Sequence, residues 1–417
     1  MGFFASAARA WLLRSFKPFN FKDDFDNELN YINVESLGLY VHIPFCRKIC
    51  SFCPYCKQIY DKETASQYID ALLHEIELVC AKQKEKKDVT SLYFGGGSPA
   101  LIADSMELII SKLRQYFNIT DGIGVELHPD DINIEILNKI KSAGVTRISI
   151  GIQSFDINIL RMLGREDFDC ERIFNAINAV HFNTVAMDFI FAVEGQTFDS
   201  IKNDIDTAFN SGANHIALYP FIDFALADSN IRKMNNKKKK NLLYKISEYC
   251  KCQGYSRDSI WTFGKPGVDK YSSMTRDNFL GFGCSATTLL YDQFKINTFS
   301  TAAYQSRIKS DTLPTALTIR FTMRQRMVYW LFWRFYTTKL NPVDFINVFD
   351  IPLKKMYGFE MFIGTLLGLL KKTDGNYQLT DKGIFYYHYF ERYYTYSYID
   401  KMWNLMGKNP FPKGLSL

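Results

Sequence analysis

Apolar residues recur with two alternating periods through the first half of the chain. Leu37 to Ile43 alternates apolar and polar positions and stops at Pro44, which predicts a strand. Lys62–Lys84 instead places Tyr68, Ile69, Leu72, Leu73, Ile76 and Val79 at helical spacing. The two patterns then take turns. Strands are expected at Val89–Phe94, Ile123–His128, Thr146–Ile150, Thr184–Phe191 and His215–Tyr219. Helices are expected at Met106–Tyr116, Ile132–Ala143, around Cys170–Val180, and at Phe198–Phe209. Strands joined in succession by helices must pair in parallel through right-handed crossovers, so an α/β partial (β/α)6 barrel is predicted. In such sheets functional residues collect past the carboxyl ends of the strands. The unusual residues of this chain fall there: cysteines after the first strand, Gly95, Gly96 and Gly97 after the second, and Glu126 and His128 at the third. Gln153 follows the fourth, Asp188 lies on the fifth and Tyr219 ends the sixth.

Past residue 225 the alternation fades. The basic run Arg232–Lys240 reads as the solvated start of a helix reaching about Gly254. Periodic helices at Arg320–Thr338 and Phe359–Lys371, a turn at Asp374-Gly375 and an aromatic segment at Ile384–Tyr398 suggest a winged-helix-like cap. Four units are expected: an amphipathic extension over 1–36, the partial barrel over 37–225, a barrel-completing segment over 226–315 and a helical cap over 316–417. In the extension, Phe3, Phe4, Trp11, Leu12, Leu13 and Phe16 mix with Arg9, Arg14 and Lys17. That stretch is too short and too charged to span a bilayer. A helix packed across the barrel is favoured over one lying on a membrane surface.

Composition narrows the class only a little. A hydrophobic fraction of 47% with 16% aromatic residues supports a sizeable core, and a net charge of +6 is too mild to argue for nucleic acid. Nine cysteines, an odd number, in a chain without a secretory signal pattern point to a reducing, cytoplasmic setting.

Four of those cysteines crowd the loop after the first predicted strand, where Cys46, Cys50 and Cys53 form Cys-x3-Cys-x-aromatic-Cys around Phe52. Three thiolates on one loop can hold three irons of a [4Fe–4S] cube and leave the fourth iron open to a ligand. Zinc would favour a second, distant Cys-x2-Cys pair, and Cys250 and Cys252 are spaced too closely for one. Cys56 could complete a four-thiolate set, but a fourth thiolate would close the open iron, which favours Cys56 as a bystander.

This loop resembles the signature of the radical S-adenosylmethionine (SAM) enzymes. From Tyr40 to about Ala286, with its Tyr-x-His-Ile-Pro-Phe-Cys opening, Gly-Gly-Gly-x-Pro, Gly-x-Gln-Ser and Gly-Gln-Thr, the chain resembles the oxygen-independent coproporphyrinogen III oxidase family. The Leu-Thr-x-Lys-Gly of the C-terminal segment resembles that family's cap. The resemblance implies a [4Fe–4S] cluster on Cys46, Cys50 and Cys53, and SAM as second cofactor. It further implies Gly95, Gly96, Gly97 and Glu126 at the SAM amino group, Arg165 at its carboxylate, Gln153 and Asp188 at the ribose, and Tyr40 lining both cofactors. The catalytic group acting on the substrate is not implied.

Departures from the family pattern bear on the substrate. Gly281-Phe-Gly283-Cys284-Ser285-Ala286 stands where the family often has Gly-x-Gly-Pro-Gly-Ala, Ala192-Val193-Glu194 precedes Gly195-Gln196-Thr197, and Cys53-Pro54-Tyr55-Cys56 differs from the oxidase loop. The resemblance implies a radical SAM oxidoreductase acting on an organic molecule such as a porphyrinogen, fed by a low-potential donor such as flavodoxin or ferredoxin. A radical methyltransferase and a heme chaperone without turnover are the competing outcomes.

Overall fold

The structure is a computed structural model that describes residues 2–23, 28–224, 227, 231–268 and 277–417, with side chains from residue 6. The side chains of Phe3 and Phe4, and residues 271–276 of the stretch leading to Gly281, lie outside the described residues. Six strands line up in chain order, all parallel: β1 (Leu37–Ile43), β2 (Leu92–Gly96), β3 (Ile123–Leu127), β4 (Arg147–Gln153), β5 (Thr184–Phe191) and β6 (His215–Pro220). Sequence periodicity anticipated this order. A seventh strand, β7 (Asn278–Phe282), pairs in parallel with the free side of β1. Beyond it the sheet continues antiparallel through β8 (Thr287–Leu290), β9 (Gln293–Asn297) and β10 (Thr315–Arg320). Asn20–Lys22 and Gly414–Ser416 then add the chain's two ends to that edge. The barrel is therefore partial, an open curled sheet of 14 strands.

Helices cover the outer face: α1 (Gly2–Leu13) stands apart, and α2 (Lys62–Cys80), α3 (Ala103–Tyr116), α4 (Ile134–Ser142), α5 (Ile157–Met162), α6 (Cys170–Ala179) and α7 (Phe198–Asn210) serve as crossovers. Their ends follow local chemistry. Asn133 accepts from the Ile136 amide to start α4, and Thr197 and Ser200 form a reciprocal capping box on α7. Helix α2 stops at Cys80, short of the expected Lys84. Leu39, Val41 and Ile43 are fully buried beneath the helices, and burying each such side chain contributes about 1.5–3 kcal/mol. Their neighbours Tyr40 and His42 face the opposite side of the pleat, toward the barrel interior.

The last third adds α8 (Asn236–Cys252), α9 (Thr301–Lys309), α10 (Met323–Tyr336), α11 (Pro342–Phe349), α12 (Leu353–Leu366), α13 (Asp381–Tyr394) and α14 (Asp400–Lys408). A three-stranded sheet of Lys339–Leu340, Asn376–Leu379 and Leu370–Thr373 gives the cap its wing. Three expectations are corrected. The helix expected at Phe359–Lys371 begins at Leu353 and ends at Leu366, because Gly368 at φ +68 turns the chain into a strand. Lys239 is buried rather than solvated, and desolvation pushes its ammonium down to about 7. Helix α1 docks on the cap instead of across the barrel. Arg14 pairs with Glu360 at 2.8 Å, Trp11 meets the Phe359 ring, and Arg324 donates to the Leu12 carbonyl.

Asp204 on α7 fixes the turn beyond β4 by accepting from the Phe155 amide at 2.7 Å and the Ser154 hydroxyl at 2.9 Å. Asp204→Ala would leave both donors unpaired, and a urea titration should record a loss of about 1–3 kcal/mol. Burial pushes this carboxyl up from 3.8 to about 6. A raised acid binds its proton more tightly when folded, so its stabilising contribution is full below the unfolded value and lost as pH rises through about 6. Asp204→Asn should flatten that fall in stability.

Candidate cofactor site

The carboxyl ends of β1 to β5 meet at one mouth of the sheet. The loop 44–56 leaves β1 and is laced to the glycines after β2. Gly97 N–H donates to Ile43 O and Ser98 N–H to Phe45 O, each at 2.7 Å. A Cβ on Gly97 would stand 2.3 Å from the Phe45 carbonyl, so only glycine permits this approach. A Cβ on Gly95 would press on the Glu126 carboxylate at 2.9 Å, and one on Gly96, which sits at φ +112, on the His42 ring at 2.5 Å. Tyr40 stacks on Tyr93, their ring centroids 6.3 Å apart.

Cys46, Cys50 and Cys53 are half-buried on this loop. Burial and then the neighbouring Cys53 and Cys50 push the Cys46 thiol up to about 12, while Lys57 and Arg165 pull it down. A thiolate trio in this position repels itself until a cationic centre binds, which is the donor chemistry an iron–sulfur cluster requires. Among the described residues, these sulfurs do not converge as tightly as the 4.8 Å grouping found at His42, Cys56 and Cys284.

The polar candidates face the same mouth. Glu126 accepts from the Gly96 amide at 3.1 Å and the Tyr93 hydroxyl at 2.8 Å, and burial raises its pKa. Asp188 accepts from the Ser149 hydroxyl at 2.8 Å, and burial first, with Glu126 next door, pushes it up to about 7. Gln153 takes a left-handed φ of +70 where the β4–β5 register shifts, a strained conformation for a non-glycine residue. Arg165 reaches Cys50 Sγ at 3.3 Å through Nε and Gly151 O at 2.5 Å through Nη1. Its guanidinium lies 5.6 Å from the Phe52 ring centroid, next to the cysteine loop. Periodicity carried the sequence reading to Glu126, Gln153 and Asp188 and the family resemblance to Arg165, but both missed Tyr93 and Ser149, the hydroxyl donors that orient the two carboxylates. Both sit in the alternating pattern of their strands, the one signal that could have found them. His128 instead closes a turn, accepting from Asp130 N–H at 3.3 Å. Cys56 lies against other groups, 2.9 Å from Phe299 O and 3.8 Å from Cys284 Sγ.

Residues 40–208 match the family model described as the radical SAM superfamily. Over that stretch the chain is similar to that superfamily. Radical SAM proteins carry a [4Fe–4S] cluster and SAM, and the three-cysteine loop has the donor set such a cluster takes. Among curated proteins, the chain is 27% identical over 264 residues to the heme chaperone HemW of Bacillus subtilis, covering 59% of this chain and 69% of that protein. It is 26% identical over 301 residues to the oxygen-independent coproporphyrinogen III oxidase of Escherichia coli, covering 65% of each. The solved coproporphyrinogen III oxidase (HemN) of Escherichia coli has the same fold, with a TM-score of 0.75 at 21% identity over 91% of this chain and 96% of that one. The chain is thus similar to an oxidase and to a chaperone alike. Among the described residues, no helix is long and apolar enough to cross a membrane.

The glycine loop offers a contrast with a control. Gly96→Ala should cost about 1–3 kcal/mol through its left-handed strain and displace His42, so SAM retention by the reconstituted protein should fall as well. Gly254 also has positive φ, +77, but open space around its Cβ position. Gly254→Ala should cost stability alone, read by thermal melting against equilibrium dialysis with SAM.

Proposed function

We propose that this protein is a radical SAM enzyme that abstracts hydrogen from a tetrapyrrole-class substrate such as a porphyrinogen. The observation that carries the reading is the convergence, at one end of the parallel sheet, of three half-buried thiols, a side-chain-free glycine ladder, two half-buried carboxyls and Arg165. Bound there, the cluster and SAM supply a 5′-deoxyadenosyl radical after one-electron reduction, with methionine released. Cys46, Cys50 and Cys53 hold the cluster. Gly95–Gly97 present backbone to the methionine amino group, with Glu126 as its carboxylate partner. Arg165 offers a planar fork to the methionine carboxylate, Asp188 and Gln153 bind ribose hydroxyls, and Tyr40 lines the cleft. A low-potential donor such as flavodoxin or ferredoxin delivers the electron.

The substrate class rests on the rim. Tyr55 of the cysteine loop, Phe224 beyond β6 and Phe299 all face Trp403 of α14, with ring centroids 5.4, 5.6 and 6.4 Å away. Aromatic faces over a cofactor mouth suit a flat, apolar molecule. The 316–417 unit closes the cleft over it. A heme chaperone is the second reading, favoured by the identity to HemW.

Anaerobic reconstitution should give a cluster absorbance that the Cys46/Cys50/Cys53 triple alanine variant lacks. With dithionite, SAM and a porphyrinogen, the parent should form 5′-deoxyadenosine and a decarboxylated product. Stoichiometric heme binding with little SAM cleavage would select the chaperone, and S-adenosylhomocysteine a methyltransferase.

Arg165→Ala should weaken SAM binding by about 1.5–3 kcal/mol, the usual worth of a charged hydrogen bond, with cluster iron unchanged. Unchanged affinity would remove Arg165 from the site.

A further inference from the structure

We propose that His42, Cys56 and Cys284 bind a single zinc-class divalent ion, separate from the cluster, which ties the end of the cysteine loop to the turn after β7. Among the described residues, this is the one place where three such side chains bring ligand atoms within 4.8 Å of one another. The two sulfurs stand 3.8 Å apart. Thiolates at about 2.3 Å from one tetrahedral zinc ion stand about 3.8 Å apart as well, so the pair needs little adjustment. Three protein ligands leave the fourth position to water. His42 and Cys284 are buried and Cys56 half-buried. Two thiolates and one divalent cation sum to zero charge, the condition under which charged groups are tolerated inside.

The surroundings are those of a ligating set. The Tyr40 hydroxyl stands 3.0 Å from His42 Nδ1 and the Cys56 carbonyl oxygen 3.1 Å from Nε2, so ligation through Nε2 exchanges that carbonyl contact for the ion while Tyr40 accepts the Nδ1 proton. Tyr68 donates to the His42 carbonyl at 2.8 Å and accepts from the Cys284 amide at 3.0 Å, holding both ligand backbones in register. Glu75 accepts from the Gly283 amide at 2.7 Å and fixes the turn from the other side. Cys284 and Cys56 also belong to two of the three segments where this chain departs from the pattern of the family it resembles, the turn after β7 and the loop 53–56. Residues 228 positions apart in sequence meet at one point. A joint departure at two touching positions is what a shared ligand would require.

Elemental analysis of the anaerobically purified full chain, expressed with zinc supplied, tests this. The Cys46/Cys50/Cys53 triple alanine variant should lose iron and sulfide yet keep about one zinc per chain. With cobalt in place of zinc, that variant should show thiolate-to-cobalt absorption unobscured by the cluster. Loss of an outer-shell partner alone lowers metal affinity about 10–100-fold, so Cys284→Ala and Cys284→Ser should each lower it at least about 100-fold. Cys56→Ala should do the same while retaining cluster iron, with circular dichroism confirming that each variant is folded. Zinc absent from the folded parent, zinc retained in folded Cys284→Ser, or a Cys56–Cys284 disulfide in the reduced protein would each overturn the proposal. So would loss of cluster iron in Cys56→Ala equal to that in Cys53→Ala, because Cys56 would then belong to the cluster.

Discussion

Everything at the mouth depends on β1 being paired in parallel on both sides. Its carboxyl end therefore opens at the centre of the sheet, between the ends of β2 and β7, and the loop that follows has nowhere to go but over them. Two backbone hydrogen bonds from Gly97 and Ser98 clamp the loop's first residues, each contributing about 1 kcal/mol net. The clamp demands that the two backbones nearly touch, and this is why glycine stands at 97. The position of the cysteines thus follows from strand order and from one missing side chain.

A second constraint is electrostatic. Glu126 and Asp188 are sunk in the sheet, and the groups facing them are hydroxyls and a backbone amide, which only partly offset desolvation. Burial consequently raises both carboxyls. A ligand carrying an ammonium and hydroxyl donors would relieve that penalty, so the energy held in these groups becomes selectivity for such a ligand. Structural ion pairs elsewhere, such as Lys139 with Glu135 on the exposed face of α4, hold no comparable reserve.

Fold and site were legible in the chain to different depths. Period-two and period-3.6 segments gave six of the seven parallel strands, because burial on both faces leaves those strands little freedom of composition. The sequence reading reached the cysteines, glycines, Glu126 and Asp188 because strand ends are where such sheets work. What stayed hidden was long-range. Nothing local to Lys239 reveals that it is buried near Arg392 and Glu391 of α13, and Phe359 carries no sign that α1 docks beside it. Cys56 and Cys284 each read as an isolated oddity until β7 is known to lie against β1.

The mixed kinship with an oxidase and a chaperone has a physical basis in this division. On the proposed reading the residues at the strand ends serve the cofactors, and their geometry is set by the sheet, so it persists whatever the protein does with them. The groups that a substrate would touch come from elsewhere: Tyr55 from the cysteine loop, Phe224 from the segment after β6, and Trp403 from α14 of the cap. These three meet only because the cap folds back over the barrel mouth, and none is held by the parallel ladder. Loops and caps tolerate replacement without loss of the core. On the proposed reading, one scaffold could pass between turnover and carriage by changing its rim, and the identity of the bound molecule would be decided where Trp403 faces Tyr55.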